Sequence, residues 1–378
     1  MQSLSKPAVV HVVLGLRVGG LERVVVNLAR GLHGPQWRVV VICLEEGGEF
    51  VTELEQSGIV VHVIHKKPGV DWTAIRRLAQ LLRQENAAIV HTHNPAPHFH
   101  GVMASMLASF PIRVHTKHGR NYPDDPKKVR VNRVLSWLTD AIVPVSDNAC
   151  DVALQIEHVN PRKIHRIWNG VDTELYCPNA HHSALNALSA EALAKADLHP
   201  AIGTVARLSP EKDQKTMLAA FRLVANEIRD ARLVFVGDGP CMAELRDTAV
   251  KLGIGDRVDF LGQRSDIPAV LNTFSLFTLT STTEGISMTI LEAMATGLPV
   301  VATDAGGNRE IVNPPECGVI VPVGDPRALA DAYLALLRDP VQRAQMGVVA
   351  RARMVGYFSL QQMTRQYTEL YTELLHLN

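Results

Sequence analysis

Short runs of branched apolar residues alternate with longer amphipathic stretches along the chain, and the alternation is played out twice. Uninterrupted apolar runs predict buried strands at residues 9–14, 38–44, 60–64, 88–92, 112–116 and 141–144, with a last strand at 164–168. Between them the period changes. After Gly20, Leu21, Val24, Val25 and Leu28 fall on one face of a helix, and Ile75, Leu78, Leu81 and Leu82 mark another. The second half repeats the scheme, with strands predicted at 201–206, 232–237, 258–261, 276–280, 299–303 and 318–321. Strands that are apolar on both faces and separated by helices imply parallel sheets covered on each side. The fold class is therefore α/β, with two doubly wound, Rossmann-like domains. The expected first domain spans 1–177, an alanine-rich interdomain segment spans 178–200, and the second domain spans 201–357. Residues 360–377 read as a terminal helix.

Composition narrows the class without naming a function. The 378 residues suffice for two domains, and 38 basic against 38 acidic residues argue against a nucleic-acid binder. The charge is unevenly spread: residues 1–180 hold 20 Lys and Arg against 16 Asp and Glu (+4), leaving 18 against 22 (−4) for the rest. A mildly basic first half is compatible with an anionic membrane surface, and equally with no partner at all. Cys43, Cys150, Cys177, Cys241 and Cys317 are odd in number and contain no C-x-x-C, which suits reduced thiols in a cytoplasmic protein. No stretch reads as a signal peptide or a transmembrane helix; the uncharged run 87–112 is broken by four histidines and three prolines.

The candidate chemistry lies at strand ends. Between the strand expected at 276–280 and the helix that stops at Gly297 stand Glu284 and Glu292, eight residues apart. Even a fully helical span of that length rises only about 12 Å at roughly 1.5 Å per residue, a reach suited to one small ligand with two polar ends. A nucleotide-sugar has that form. Arg207 and Lys212, five apart on the loop after 201–206, can clamp a pyrophosphate, although elsewhere such a pair is simply a solvated loop. Gly19 and Gly20 open the first helix, where backbone N–H groups can approach a diphosphate or merely make a tight turn. The histidines of 91–93, 98–100 and 115–118 raise a metal site. No carboxylate or cysteine joins them at ligand spacing, and no D-x-D occurs, so hydrogen-bonded structural histidines and a metal-free site are expected.

The run E-G-I-S-M-T-I-L-E-A-M-A-T-G-L-P-V-V-A-T, beginning at Glu284, resembles the E-x7-E signature of retaining, nucleotide-sugar-dependent GT-B glycosyltransferases of family 4. The resemblance extends over nearly the whole chain. It implies that the terminal helix (358–378) crosses back onto the first domain and that the site spans a cleft completed by domain closure. The loop A-R-L-S-P-E-K-D is similar to the family's G-R-L-x-x-x-K-G element, with Asp213 where glycine is usual. Gly237 and Gly239 match V-G-x-G-P, and Gln263 and Arg264 follow a strand that walls the base in the family. Gly285, Ile286 and Ser287 lie within the signature and would bind donor. The resemblance assigns Glu284 to the sugar hydroxyls, Glu292 to the ribose, Arg207 and Lys212 to the diphosphate, and His118 to the donor sugar. Lys117 and Arg120 beside it would serve acceptor or phosphate. The expected reaction moves a sugar from a nucleoside diphosphate to a hydroxyl of a glycan or lipid-linked acceptor in cell-envelope or exopolysaccharide assembly. Rivals are a nucleotide-sugar epimerase of the same architecture, a nicotinamide oxidoreductase, disfavoured because the glycine spacing is not G-x-G-x-x-G, and a catalytically silent binding protein. The stretch from Asp124 to Leu138 carries four cations and an apolar face assigned to Val131, Leu135 and Leu138, with Trp137 available at an interface. It is expected to lie on anionic lipid, or else to be an ordinary domain helix.

Overall fold

The computed structural model describes residues 6–108, 111–119, 125–179, 200–313 and 315–377. The chain divides into two compact units, Met1–Gly170 with Leu360–Asn378, and Val171–Ser359. Of the segment 178–200 only Pro178, Asn179 and Pro200 are described, and Arg120 lies outside the described residues.

The first unit is built on β1 (Ala8–Val13), β2 (Arg38–Cys43), β3 (Val60–Val63), β4 (Ala87–His93), β5 (Ile112–Lys117) and β6 (Ala141–Pro144). They form one six-stranded sheet in the order β3-β2-β1-β4-β5-β6, parallel throughout. The second unit holds β7 (Ala201–Val205), β8 (Arg232–Val236), β9 (Val258–Phe260), β10 (Leu276–Leu279), β11 (Val300–Thr303) and β12 (Gly318–Val321). Their order, β12-β11-β10-β7-β8-β9, is the same winding. Each sheet therefore reverses direction once, between β1 and β4 and between β7 and β10. The loops leaving these strands part there and leave room for a ligand. Every residue of β1, β6, β10 and β11 is buried, which is why the pattern showed runs without alternation.

Residues 164–168 do not form the expected last strand. Ile164 makes a single parallel bridge to Ile142, and the N–H groups of His165 and Ile167 bond the carbonyls of Ile142 and Pro144. Pro144 has no N–H with which to continue that ladder.

The first unit carries an unusual amount of polar chemistry inside. Lys117 is 2% exposed and its ammonium sits 2.7 Å from both oxygens of Glu157, which also accepts from Asn132 Nδ2 at 2.8 Å. Glu157 follows a single π-helical turn, Val152–Ile156. Lys117 is thus a structural cation locked in the core and does not serve acceptor or phosphate, because turning it outward would strand a buried carboxylate. The terminal helix Leu360–Leu377 belongs to this unit and hydrogen-bonds its sheet: Tyr371 Oη lies 2.6 Å from His91 Nδ1, and Tyr367 Oη 2.8 Å from Thr116 Oγ1. On the helix Pro126–Trp137, Leu135 is buried and Arg133 donates to the carbonyls of Ile156 and Glu157. Its outer face carries not Leu135 and Leu138 but Val131, Val134 and Trp137, exposed beside Lys127, Lys128 and Arg130.

Burial pushes the pKa of His11, His98 and His118 down to about 3, and those of His91, His93 and His115 well below 6.5. The unfolded chain takes up these protons near pH 6.5 and the folded chain does not, so folding stability must fall as pH drops through 6.5. Each withheld proton costs about 1.4 kcal/mol per pH unit below that value. Thermal unfolding at pH 7.5, 6.5 and 5.5 should therefore show a steep loss of Tm at the acid end. A Tm that is flat or rises towards pH 5.5 contradicts the buried neutral histidines.

Candidate functional site

In the second unit the chain leaves β7 through Ala206 and Arg207, makes a 3-10 turn at Pro210–Lys212, and enters the helix Gln214–Glu227. Asp213 joins turn to helix in the left-handed region, φ 42° and ψ 48°. Asp is among the few non-glycine residues that tolerate this conformation. Its carboxylate accepts from Thr216 Oγ1 at 2.6 Å and faces the Thr216 N–H, capping the helix. The departure from the family's glycine therefore leaves the turn intact and adds a cap.

The neighbouring strand β10 fixes this loop. Thr280 Oγ1 lies 2.9 Å from the carbonyls of both Lys212 and Asp213, and the Thr282 N–H donates to the Glu211 carbonyl at 2.9 Å. The interlock brings Lys212 Nζ onto Glu284 Oε1 as an ion pair, and Ser281 Oγ donates to the same oxygen at 2.6 Å. The pair is partly shielded, with side chains 22% and 11% exposed. Arg207 is exposed, and among the described residues its guanidinium forms no ion pair.

Two glycines make the geometry possible. Gly237, at the end of β8, has φ +129°, and a Cβ there would lie 2.1 Å from the Ala206 carbonyl oxygen. This lets the turn through Asp238 and Gly239 pack against the Arg207 loop, with the Leu208 N–H on the Asp238 carbonyl at 3.0 Å. Gly306, at φ +55°, would put a Cβ 2.0 Å from the carbonyl oxygen of Glu284, and the Gly307 N–H bonds the Gly285 carbonyl at 2.9 Å. Sequence reasoning missed Gly306, Thr280 and Ser281. Only Ser281, three residues before Glu284, stood near enough to be suspected.

The remaining expected residues fall in several places. Gly285 continues the Glu284 loop; Ile286 and Ser287 are buried, and Ser287 caps the helix Met288–Ala295, inside which Glu292 is 7% exposed. Gln263 and Arg264 are exposed beyond β9, and the Arg264 guanidinium is bidentate to Asp266 at 2.8 and 2.6 Å. Gly19, Gly20 and His118 belong to the first unit. There the Val18 N–H already donates to Glu49 Oε2 at 3.2 Å, and a Cβ on Gly19 would lie 2.2 Å from Glu22 Oε2. Burial raises the Glu22 carboxyl above its usual pKa. An anion approaching these amides therefore meets carboxyls as well as the helix end.

Among the described residues, one group has metal-ligand spacing: His11, His91 and His93, with ring nitrogens within 4.8 Å of one another. Both His91 nitrogens are engaged, by Tyr371 and by Thr116 Oγ1 at 2.7 Å, and His11 Nδ1 bonds His93 Nε2 at 3.0 Å. A dication there would be buried without a carboxylate to balance it. His118 Nε2 joins this group at His93 Nδ1, 2.9 Å away, whereas His98 and His115 pair separately, stacked at 3.7 Å between centroids.

A family model of glycosyl transferases group 1 matches residues 188–353, and one of glycosyltransferase family 4 matches residues 18–175. The chain is a family 4 glycosyltransferase. It is similar to the UDP-Gal:alpha-D-GlcNAc-diphosphoundecaprenol alpha-1,3-galactosyltransferase of Escherichia coli, 28% identical over 98% of this chain and 98% of that protein. The N-acetyl-alpha-D-glucosaminyl L-malate synthase of Bacillus anthracis is 27% identical over 82% of this chain and 81% of its own length. Among solved structures, Anabaena HepE in complex with UDP superposes with a TM-score of 0.84 at 25% identity, covering 97% of this chain and all of that one. The glycosyltransferase thus has the GT-B architecture, and the epimerase and oxidoreductase readings lose their ground.

The Asp213 turn yields a direct test. Asp213→Ala removes the cap and leaves in the left-handed region a residue without the polar side chain that makes it tolerable, and should cost about 1–2 kcal/mol of stability. Asp213→Gly loses the cap but gains the conformation, and should stay within roughly 0.5 kcal/mol of the parent. Denaturant unfolding distinguishes them; equal losses in both variants contradict the turn described here.

Proposed function

We propose that this glycosyltransferase moves a hexose from a nucleoside diphosphate, UDP foremost, to a hydroxyl of a glycan or lipid-linked saccharide, with retention at the anomeric carbon and without a metal. The observation that carries this reading is the loop after β7, which carries Arg207 and sets Lys212 against Glu284 at the switch point of the sheet. As the glycosidic bond breaks, negative charge collects on the β-phosphate and positive charge on the sugar ring. Lys212, held on Glu284, and the exposed Arg207 on the same loop can stabilise the first, a contribution commonly worth several kcal/mol. Lys212 then exchanges part of its bond to Glu284 for the phosphate, leaving Glu284 to orient sugar hydroxyls while Glu292 holds the ribose. The departing phosphate takes the acceptor proton as attack proceeds on the face it leaves. His118 contacts the sugar, and Gly237, Gly239, Gly285, Ile286 and Ser287 shape the donor site. Gln263, Arg264, Gly19 and Gly20 are secondary donor contacts.

UDP is favoured because HepE was solved with UDP and with UDP-glucose, and because the Escherichia coli relative is named for a UDP-sugar and a diphosphoundecaprenol-linked acceptor. A lipid-linked acceptor makes a peripheral location on the cytoplasmic face of a membrane the natural setting. Among the described residues no helix is long and apolar enough to cross one.

Lys212→Ala and Arg207→Ala should each lower kcat by about a hundredfold or more while the fold, read by circular dichroism, is retained. EDTA should leave the parent's rate unchanged. Parent-like rates in both variants, or an EDTA loss restored by Mg²⁺, overturn the mechanism.

Membrane contact has its own test. Lys127, Lys128 and Arg130, with Val131, Val134 and Trp137, offer an anionic surface about 1 kcal/mol per cation. Sedimentation with phosphatidylglycerol vesicles should show binding that weakens at high salt and is lost when the three cations become glutamine. Binding indifferent to both changes removes this helix from the account.

A further inference from the structure

Glu284 is held through one of its two carboxylate oxygens. Lys212 Nζ and Ser281 Oγ both donate to Oε1, the serine at 2.6 Å, and among the described residues nothing donates to Oε2. The serine is itself anchored. Its carbonyl accepts from Thr303 Oγ1 at 2.6 Å, and the Thr303 carbonyl accepts from Asn308 Nδ2 at 3.1 Å. Ser281, Thr303 and Asn308 are all buried. Thr303 ends β11, so the backbone carrying Ser281 has a tie that does not pass through the Lys212 loop.

The two donors on Oε1 differ in kind. A lysine carries its ammonium on a flexible four-carbon stem, and this one is 22% exposed, so an arriving phosphate can draw it away. A serine has one side-chain torsion and one hydroxyl hydrogen, and here that hydrogen is spent on Oε1. A short hydrogen bond donated to an ionised carboxylate belongs to the stronger class. When Lys212 gives up part of its bond to Glu284 for the diphosphate, the serine is the contact that keeps the carboxylate from turning.

We propose that Ser281 is a positioning residue: its hydroxyl holds Oε1 of Glu284, so that Oε2 is left to accept from a hydroxyl of the donor sugar while Lys212 is engaged by the diphosphate. This rests on the reading that Glu284 orients that sugar. Ser281 is buried and acts only through Glu284. Its loss therefore removes orientation at the reacting sugar and leaves binding of the nucleotide as it was.

The test uses the full-length chain. Ser281→Ala removes the hydroxyl and adds no volume, so it probes that oxygen alone, and Ser281→Thr keeps a hydroxyl in place. Calorimetry gives the Kd for UDP. Release of UDP from UDP-glucose or UDP-galactose, whichever the parent turns over faster, gives kcat and KM, with water taking the sugar when no acceptor is supplied. The expected result for Ser281→Ala is a kcat lower by about tenfold or more, with KM and the UDP Kd changed by less than about threefold. Ser281→Thr should stay within about threefold of the parent in all three. A parent-like kcat in Ser281→Ala overturns the proposal. So does a loss of UDP affinity in step with kcat, which marks a general loosening of the loop, or a folded Ser281→Thr no faster than the alanine variant. Glu284→Gln separates the two readings. A parent-like rate there removes Glu284 from the reaction and the serine with it, whereas a slow Glu284→Gln beside a parent-like Ser281→Ala rejects the serine alone.

Discussion

The ion pair between Lys212 and Glu284 exists because two loops from adjacent strands are tied together by backbone-directed hydrogen bonds, not because two opposite charges found each other. Thr280 spans the carbonyls of Lys212 and Asp213, and Thr282 reaches Glu211, so the cationic loop after β7 is tied to the acidic loop after β10. Shielding the two groups from water costs much of what their attraction gains, so the pair is a weak source of stability. Its consequence is positional: lysine and carboxylate are held against each other at the switch point of the sheet. Gly306 and Gly237 are the conditions for that approach, since a β-carbon at either would occupy the space of a neighbouring carbonyl.

The two units share one winding but handle polar chemistry differently. The second carries its charges at the rim of the sheet, where a ligand can complete them. The first carries them inside, as the Lys117–Glu157 pair and as histidines held neutral by burial. A buried, fully paired lysine contributes little net stability, yet removing either partner is costly, so this core is rigid in composition. The terminal helix takes part through Tyr367 and Tyr371, which makes residues far along the chain necessary to the first sheet.

What could be read from the sequence was whatever depends on local pattern. Parallel strands buried on both faces announced themselves as apolar runs, and the E-x7-E and R-x4-K spacings fell at strand ends as expected. Asp213 was visible as a departure, but its left-handed backbone and its bond to Thr216 were not, because both belong to the folded turn. Lys117 was misplaced since its neighbour His118 suggested a shared role. Its true partner, Glu157, is forty positions away in sequence, with nothing local to mark it. His11 was invisible for the same reason: its meaning comes from β4 lying beside β1. The run at 164–168 failed the other way, a strand pattern without a ladder to join. On the helix Pro126–Trp137, periodicity gave a face but not which face the core would claim.

The most direct trial of the account is a crystal structure of the chain with UDP bound. It should place β-phosphate oxygens within hydrogen-bond distance of Lys212 Nζ and the Arg207 guanidinium, with Glu292 at the ribose. A diphosphate held only by the amides of Gly19 and Gly20, or carried by a metal ion away from Lys212, would contradict it.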